Sequence, residues 1–178
     1  NSRRIGFYEI LKKNGAKIKF INRKKINNEY VADIQVKSSN IKSFNAGPEL
    51  YSKATDEYPI LFIIAALING KSTFNGIGEL ANKESNRITE MKKILLQAKI
   101  KCKSAQSKMT IYGKKNKSFN NLKIKVPSLG DHRICMSATI FSLLTGIPAD
   151  IKNFETVGTS SPSFLKIIKK LGAKFEIK

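Results

Sequence analysis

The chain has 178 residues, of which 33 are lysine or arginine and 13 are aspartate or glutamate, so its formal net charge is +20. Hydrophobic residues make up 41% and charged residues 26%, a composition that indicates a globular fold and argues against disorder. The longest apolar run, 60–68, is about half of the roughly 20 residues that a membrane-spanning helix needs, and no secretory leader is visible.

The cysteines and the histidine set limits on location and metal binding. The two cysteines, Cys102 and Cys135, are too few for a disulfide framework or a four-thiolate zinc site. A reducing compartment fits best, and we expect a cytoplasmic protein. No metal site is expected, because His132 is the only histidine and the sequence shows no partner ligands for it. Since the first residue is Asn1, we also expect that the natural start is missing.

The positive charge comes mainly from lysine, with 28 lysines against 5 arginines. These lysines are spread along the chain and form no arginine-rich tract and no aromatic-interleaved RNA-binding segment. The pattern favours a solvated lysine surface over a nucleic-acid interface. The charge would also help to attract small anionic substrates.

In chain order, the hydrophobic pattern predicts helices and strands that alternate. An amphipathic helix that runs into a strand is predicted at 7–18, 91–102 and 164–175. A more apolar helix followed by a strand is predicted at 56–74 and 131–151. The predicted strands are 16–22, 31–36, 72–76, 100–103, 108–112, 150–154 and 174–177. Two polar loops, 37–51 and 114–121, are expected to be either disordered or exposed.

The alternation of the two helix types indicates a supersecondary unit that is used more than once. The unit reads strand, apolar helix, strand, amphipathic helix and two further strands. The apolar helices, which Gly70 and Gly146 are expected to end, are hydrophobic on most faces and should be buried. We therefore predict an α/β (α+β) fold of repeated units with buried helices and outer sheets, in preference to two unrelated α/β halves.

Charged and polar residues gather at the predicted helix starts. One cluster surrounds Asp56, a second spans 82–87, a third spans 130–133, and a fourth, uncharged, spans 159–162. Equivalent helix ends in a repeated unit point the same way, so the charged clusters should face one surface. Helix N-termini and arginine side chains bind anions, which predicts a surface that holds phosphate or carboxylate groups.

Each cluster also has a purely structural interpretation. Asp56 is a residue type that caps helix N-termini. Lys83, Glu84 and Arg87 are spaced to share a helical face, as in a solvated set of ion pairs. His132 alone is usually a cap or a surface residue. The residues by themselves predict an anion-binding face of a repeated α/β domain and no particular reaction.

Taken together, the motifs resemble one family, 5-enolpyruvylshikimate-3-phosphate synthase, also called 3-phosphoshikimate 1-carboxyvinyltransferase. The run Lys-Glu-Ser-Asn-Arg at 83–87 and the run Gly-Asp-His-Arg at 130–133 are specific to this family when found together. They argue against its relative that acts on UDP-N-acetylglucosamine. Similar stretches occur at 1–7, 56–59 and 159–164, so the resemblance covers essentially the whole chain.

The resemblance implies a two-domain fold of six such units, with the active site in the cleft between the domains. Residues 1–178 would then be most of the C-terminal domain, with the N-terminal half absent, and this piece is expected to be inactive alone. The expected partners are that N-terminal domain and the substrates shikimate 3-phosphate and phosphoenolpyruvate. A monomer is expected, without nucleic acid or membrane.

The implied reaction transfers the enolpyruvyl group of phosphoenolpyruvate to the 5-hydroxyl of shikimate 3-phosphate and releases phosphate, on the route to chorismate and aromatic amino acids. No cofactor or metal is expected, but a base, an acid and cations are needed. The resemblance makes Asp56 the proton acceptor and a shikimate ligand, and Glu84 the proton donor, although coupled groups can exchange such roles. It assigns contact with both substrates to Lys83, phosphoenolpyruvate binding to Arg87 and Arg133, and an orienting role to His132.

Three positions depart from the family pattern. Asn86 stands where an acidic residue is usual, which is expected to loosen the ion pairing of Arg87. Ser161 replaces a common aromatic, and Thr159 stands where some members carry a lysine that contacts phosphoenolpyruvate. Two alternatives stay open: a basic nucleic-acid-binding module, and a catalytically dead scaffold of the same fold.

Overall fold

The computed structural model describes residues 5–115 and 118–176. Within them the chain runs through a helix and hairpin, then one complete six-element unit, and then a strand, helix, strand and helix. This order is the repeat that the sequence predicts. The strand–helix–strand–helix–strand–strand unit is therefore confirmed.

The first segment is a helix followed by a long antiparallel hairpin. Helix α1 (Gly6–Lys13) precedes strands β1 (Lys17–Ile26) and β2 (Glu29–Lys37). Asn27 and Asn28 join the strands with φ values of 47° and 65°. Positive φ at both turn residues matches the right-handed twist of a hairpin, and asparagine tolerates it well. Both strands are longer than predicted.

The middle segment is the complete unit. It comprises β3 (Asn45–Ala46), α2 (Tyr58–Leu67), β4 (Gly70–Asn75), α3 (Arg87–Gln97), β5 (Lys101–Ala105) and β6 (Lys108–Gly113). The sheet order is β3-β4-β6-β5, with β3 parallel to β4 and the other pairs antiparallel.

The segment 37–51 was expected to be a disordered or exposed loop, and this prediction is wrong in part. It contributes β3 and the first part of a 3₁₀ turn (Pro48–Lys53), and it buries Phe44 and Ala46 in the core. The hydroxyl of Ser72 accepts a hydrogen bond from the backbone N–H of Phe44 at 3.0 Å. The single buried phenylalanine thus ties an otherwise polar segment to the sheet. In the predicted loop 114–121, residues 116 and 117 lie outside the described part of the chain.

The last segment begins a further unit. It comprises β7 (Ile124–Val126), α4 (His132–Thr145), β8 (Ala149–Ile151) and α5 (Phe164–Lys170), with β7 parallel to β8. The strand predicted at 150–154 is shorter and ends at Ile151. The strand predicted at 174–177 is wrong for 174–176, because a strand needs a paired neighbour and no described segment pairs with them; residue 177 lies outside the described part.

Of the two apolar helices that were predicted to be buried, α2 lies in the interior, whereas α4 buries five of its fourteen residues and leaves Leu143 and Leu144 exposed. Helix α2 buries seven of its ten residues, and α4 packs against both α2 and α3. The sheets lie outside, where their lysines reach solvent. The buried residues of α2 are Tyr58, Pro59, Leu61, Phe62, Ile63, Ala65 and Ala66.

The four-stranded sheet lies close against α2 at Gly113, the last residue of β6. A Cβ atom there would collide with the backbone carbonyl oxygens of Ala65 and Ile68 at the end of α2. The next residue, Lys114, donates a backbone hydrogen bond to the carbonyl of Ala66 at 3.1 Å. The absent side chain therefore lets β6 lie directly against the C-terminal turn of α2.

No helix among the described residues is long and apolar enough to cross a membrane.

Candidate active site

The N-terminal ends of α2, α3 and α4 meet at one surface, where charged side chains from all three form a connected cluster. Asp56 precedes α2, Glu84 and Arg87 lie at the start of α3, and Asp131 and Arg133 lie at the start of α4. Salt bridges join residues that are far apart in sequence. The prediction that the helix starts face a common surface is therefore confirmed.

Arg87 is the centre of this cluster and is only 1% exposed. Its Nε donates to Asp131 Oδ2 at 3.0 Å, and its Nη2 donates to Glu84 Oε2 at 2.6 Å and to Asp131 Oδ1 at 3.3 Å. Its Nη1 lies 3.5 Å from Asp56 Oδ1. Three carboxylates thus surround one buried guanidinium, which satisfies the requirement that a buried charge be paired.

Asp131 is fully buried and serves two elements. It is the N-cap of α4, and its Oδ1 accepts from the backbone N–H of Arg133 at 3.0 Å and of Ile134 at 3.3 Å. Its Oδ2 also accepts from Ser85 Oγ at 2.8 Å. Burial would raise the pKa of this carboxyl, but the hydrogen bonds and charge of Arg87 and the bond from Ser85 outweigh it, so its pKa lies below the ordinary value.

Asp56 lies between the two arginines. Its Oδ2 accepts from Arg133 Nη2 at 3.2 Å, while its Oδ1 faces Arg87. It belongs to a short 3₁₀ turn (Thr55–Glu57), and α2 begins at Tyr58 without a side-chain cap. The helix-cap interpretation of Asp56 is therefore wrong, and the carboxylate is engaged in ion pairs instead.

Arg133 is more accessible than Arg87. Its side chain is 28% exposed, and its buried Nε has no hydrogen-bond partner among the described residues. A cavity of about 170 Å³ opens beside Arg133 and Asp56, with an apolar wall formed by Ile60, Met136 and Ile140. This is the point at which the cluster is open to a small molecule.

Lys83 and His132 lie next to the cluster in sequence but outside its network. Lys83 is exposed and His132 half-buried, and within 5–115 and 118–176 the side chain of neither makes a hydrogen bond or an ion pair. Lys83, Glu84 and Arg87 would share a face only if the segment were helical, and α3 begins at Arg87. Glu84 still reaches Arg87 from the preceding loop.

Asn86 has a local structural role. Its side chain is the N-cap of α3 and accepts from the backbone N–H of Thr89 at 3.0 Å. Arg87 has three carboxylate partners without any contribution from residue 86. The ion pairing that this departure was expected to loosen is thus supplied by Asp131, Glu84 and Asp56.

Two residues of the cluster were given no role in the sequence analysis: Asp131 and Ser85. Asp131 directly precedes a helix and is a preferred N-cap type, so its capping could have been predicted. Its contact with Arg87 spans 44 residues of sequence and carries no local signal. The bond from Ser85 depends on the same contact.

The formal charges of the cluster nearly cancel. Three carboxylates face two guanidiniums, and Lys83 stands outside with its charge in solvent. An anion that approaches the arginines must therefore compete with carboxylates. Cys135 stays a thiol near this site, because burial and the charge of Asp131 raise its pKa to about 11.

No group of three or more histidine, cysteine, aspartate or glutamate side chains in the described part of the chain is arranged to hold a metal ion. A second and larger cavity, of about 1060 Å³, lies between β8 and α5 and is lined by none of the predicted site residues. The charged cluster, with two cations and exposed carboxylates, is the arrangement suited to anion binding and proton transfer.

A family model described as EPSP synthase (3-phosphoshikimate 1-carboxyvinyltransferase) matches residues 1–168. The chain belongs to the EPSP synthase family. This membership confirms the resemblance seen in the motifs and does not favour the alternative of a nucleic-acid-binding module.

Relatives and solved structures agree with the family. The chain is 36% identical over 180 residues to the 3-phosphoshikimate 1-carboxyvinyltransferase of Zymomonas mobilis, covering 99% of this chain and 40% of that protein. It is 37% identical to the Petrotoga mobilis enzyme of the same name, covering 96% and 39%. An EPSP synthase structure from Acinetobacter baumannii superposes with a TM-score of 0.88 at 33% identity, covering 100% of this chain and 40% of that one.

The predicted fold class is confirmed by this superposition. The chain spans about 40% of the length of the curated relatives it matches.

Proposed function

We propose that this chain forms most of the C-terminal domain of an enzyme that transfers the enolpyruvyl group of phosphoenolpyruvate to the 5-hydroxyl of shikimate 3-phosphate. The observation that carries the proposal is the convergence of Asp56, Glu84, Arg87 and Arg133, from three helix starts, in a chain of the EPSP synthase family. An N-terminal domain of the same polypeptide closes the other side of the cleft. The enzyme is a monomer in the cytoplasm.

The two arginines bind phosphoenolpyruvate. Its phosphate and carboxylate are planar or forked anions that match guanidinium groups. Arg133 is accessible and has an unpaired Nε, while Arg87 offers the Nη atoms that Glu84 and Asp56 occupy in this structure. Lys83, exposed beside them, reaches both substrates. His132 helps to orient the site.

The carboxylates move the protons. Asp56 takes the proton of the 5-hydroxyl of shikimate 3-phosphate while the hydroxyl oxygen bonds to C2 of phosphoenolpyruvate. Glu84 gives a proton to the methylene carbon of phosphoenolpyruvate. The resulting tetrahedral intermediate then returns a methyl proton to the Glu84 carboxylate as the bond between C2 and the phosphate oxygen breaks and phosphate leaves. Both carboxylates contact the guanidinium of Arg87, so the proposed acid and the proposed base lie on either side of the same residue.

Substrate binding changes the partners of these carboxylates. Glu84 and Asp56 are 46% and 36% exposed, so an anion can displace them from the arginines without moving buried groups. Once displaced, they can turn toward the substrate atoms that exchange protons. The binding of phosphoenolpyruvate thereby prepares the groups that transfer protons.

The experiment is an assay of the complete protein with both substrates, followed by phosphate release. Turnover is expected, and Glu84→Gln is expected to lower kcat by roughly 100-fold or more because it removes a proton donor. Glu9→Gln is the matched control, since Glu9 is 47% exposed and its ion pair with Lys53 includes no residue of the cluster.

Absence of turnover in the wild-type protein would overturn the proposed activity. Equal rates for wild type and Glu84→Gln would overturn the role of Glu84 alone. The isolated 178-residue chain is expected to release no phosphate, because the other side of the cleft is missing.

A further inference from the structure

Arg87 has two kinds of carboxylate partner. Glu84 and Asp56 are 46% and 36% exposed, whereas Asp131 is completely buried. Solvent and ligands can reach the first two, but Asp131 is enclosed by Arg87, Ser85 and the first turn of α4. Only Asp131 is therefore a permanent partner of the guanidinium.

The contact between Asp131 and Arg87 is bidentate. Asp131 Oδ2 accepts from Nε at 3.0 Å and Oδ1 accepts from Nη2 at 3.3 Å, which fixes the plane of the guanidinium. The remaining N–H groups, on Nη1 and the outer side of Nη2, point toward Asp56 and Glu84. Asp131 thus determines which edge of Arg87 faces the accessible side of the cluster.

The same carboxylate also fixes the second arginine. Oδ1 accepts from the backbone N–H groups of Arg133 and Ile134, so it holds the first turn of α4. Arg87 is carried by α3 and Arg133 by α4. The buried side chain of Asp131 therefore joins the backbone of Arg133 to the guanidinium of Arg87.

We propose that Asp131 is a positioning residue that holds Arg87 and Arg133 in register, so that both guanidiniums address one phosphoenolpyruvate molecule. The proposal rests on the proposed function, since it assumes that these arginines bind that substrate. Asp131 stays in place when the exposed carboxylates are displaced. The pKa of its carboxyl lies below the ordinary value, so it remains ionised at neutral pH.

Asp131→Asn tests the proposal with little change in shape. The amide oxygen can still cap α4, but the amide nitrogen then faces the Nε–H of Arg87, so two donors oppose each other. Ser85 can adapt, because its hydroxyl also accepts. The variant should keep the helix cap and lose the fixed orientation of Arg87.

In the complete enzyme, Asp131→Asn is expected to raise KM for phosphoenolpyruvate about tenfold or more, the size associated with losing a charged hydrogen bond. KM for shikimate 3-phosphate should change less than about twofold. The control is Asp150→Asn, because Asp150 is a 40% exposed aspartate whose ion pair with Lys152 includes no residue of the cluster. A merely structural role would raise both KM values together or neither.

A double-mutant cycle identifies the path of the effect. If Asp131 acts through Arg87, Asp131→Asn should add less than about twofold to the KM for phosphoenolpyruvate of Arg87→Ala. Full additivity of the two changes would overturn the proposal.

A second readout does not depend on catalysis. With ¹⁵N-labelled arginine, the Nε–H of Arg87 should exchange slowly with solvent in the wild type and at least about tenfold faster in Asp131→Asn. Equal exchange rates in the wild type and in Asp131→Asn would overturn the proposal that Asp131 positions Arg87. If the wild type shows no turnover at all, the proposed function and the inference both fail; if it turns over and Asp131→Asn keeps a normal KM for phosphoenolpyruvate, only the inference fails.

Discussion

The carboxylate of Asp56 accepts a hydrogen bond from the guanidinium of Arg133 at 3.2 Å, although 77 residues separate them in sequence. This contact joins the starts of α2 and α4, and the second oxygen of Asp56 faces Arg87 at the start of α3. The three helix starts are thus linked by charge as well as by packing. The exposure of each member then decides what its substitution should do.

Substitution of Arg133 should affect binding more than stability. Arg133 is 28% exposed, so Arg133→Ala leaves no fully buried carboxylate without a partner. We expect KM for phosphoenolpyruvate to rise roughly 10- to 100-fold, because a charge-assisted contact is lost. Steady-state kinetics with phosphoenolpyruvate varied at saturating shikimate 3-phosphate measures this.

Arg133→Lys is the companion variant, because it keeps the charge and loses the planar fork. It should recover only part of the affinity. An unchanged KM in Arg133→Ala would show that this residue does not contact phosphoenolpyruvate.

Substitution of Arg87 should also destabilise the fold. Arg87→Ala leaves Asp131 buried without its guanidinium partner, which costs about 3–5 kcal/mol of unfolding free energy. Urea unfolding followed by circular dichroism measures the loss. The control is Arg23→Ala, since Arg23 is an exposed arginine whose main contact is the ring of Phe20, and its loss should cost less than about 1 kcal/mol. Similar losses for both variants would contradict the burial of the Arg87–Asp131 pair.

Asn86 should matter for stability and not for substrate affinity. Asn86→Ala removes the side-chain cap of α3 and is expected to lower the unfolding free energy by about 1 kcal/mol. Thr89→Ala is the matched control, because it keeps the backbone N–H that donates a hydrogen bond to the side chain of Asn86. Thermal unfolding compares the two. A large change in KM for phosphoenolpyruvate in Asn86→Ala would contradict the finding that Arg87 is held by other residues.

The stability of the protein should decline at alkaline pH partly because of Tyr58. Burial, with smaller contributions from Tyr51 and Glu49, raises the pKa of this phenol from 10.0 to about 12. Above pH 10 the unfolded chain releases the proton while the folded chain keeps it, so stability falls as pH rises toward 12. Urea unfolding across this range should show a smaller decline for Tyr58→Phe.

The control for this pH series is Tyr30→Phe, because Tyr30 is 68% exposed. Its decline should match that of the wild type. A wild-type slope in Tyr58→Phe would show that other groups cause the alkaline loss.

The repeated unit was predictable because its signal is local. Helix α2 is apolar on nearly every face, and α3 alternates between buried and exposed positions at helical spacing. Strand β1 was predicted too short because both of its faces are exposed over its last six residues, so no alternation marks them. Strands β3 and β7 have two and three residues, too few for a periodicity to appear.

The sequence allowed us to predict which residues share the surface of the candidate site, but not how they pair with one another. Residue types and helix positions pointed to Asp56, Glu84, Arg87 and Arg133 as one surface. The pairing of Arg87 with Asp131 could not be predicted, because it depends on how α3 packs against α4. Lys83 lies outside the network because α3 begins only at Arg87, which leaves Lys83 in the preceding loop.

Gly113 of the outer sheet lies against the C-terminal end of α2, and Asp56 precedes the other end of that helix. Any methyl group at that position would push the last turn of α2 outward, and a rigid helix passes such a tilt to its opposite end, where Asp56 stands between two arginines. A side chain at position 113 is therefore expected to shift Asp56 relative to Arg87 and Arg133, although it lies at the opposite end of the ten-residue helix α2.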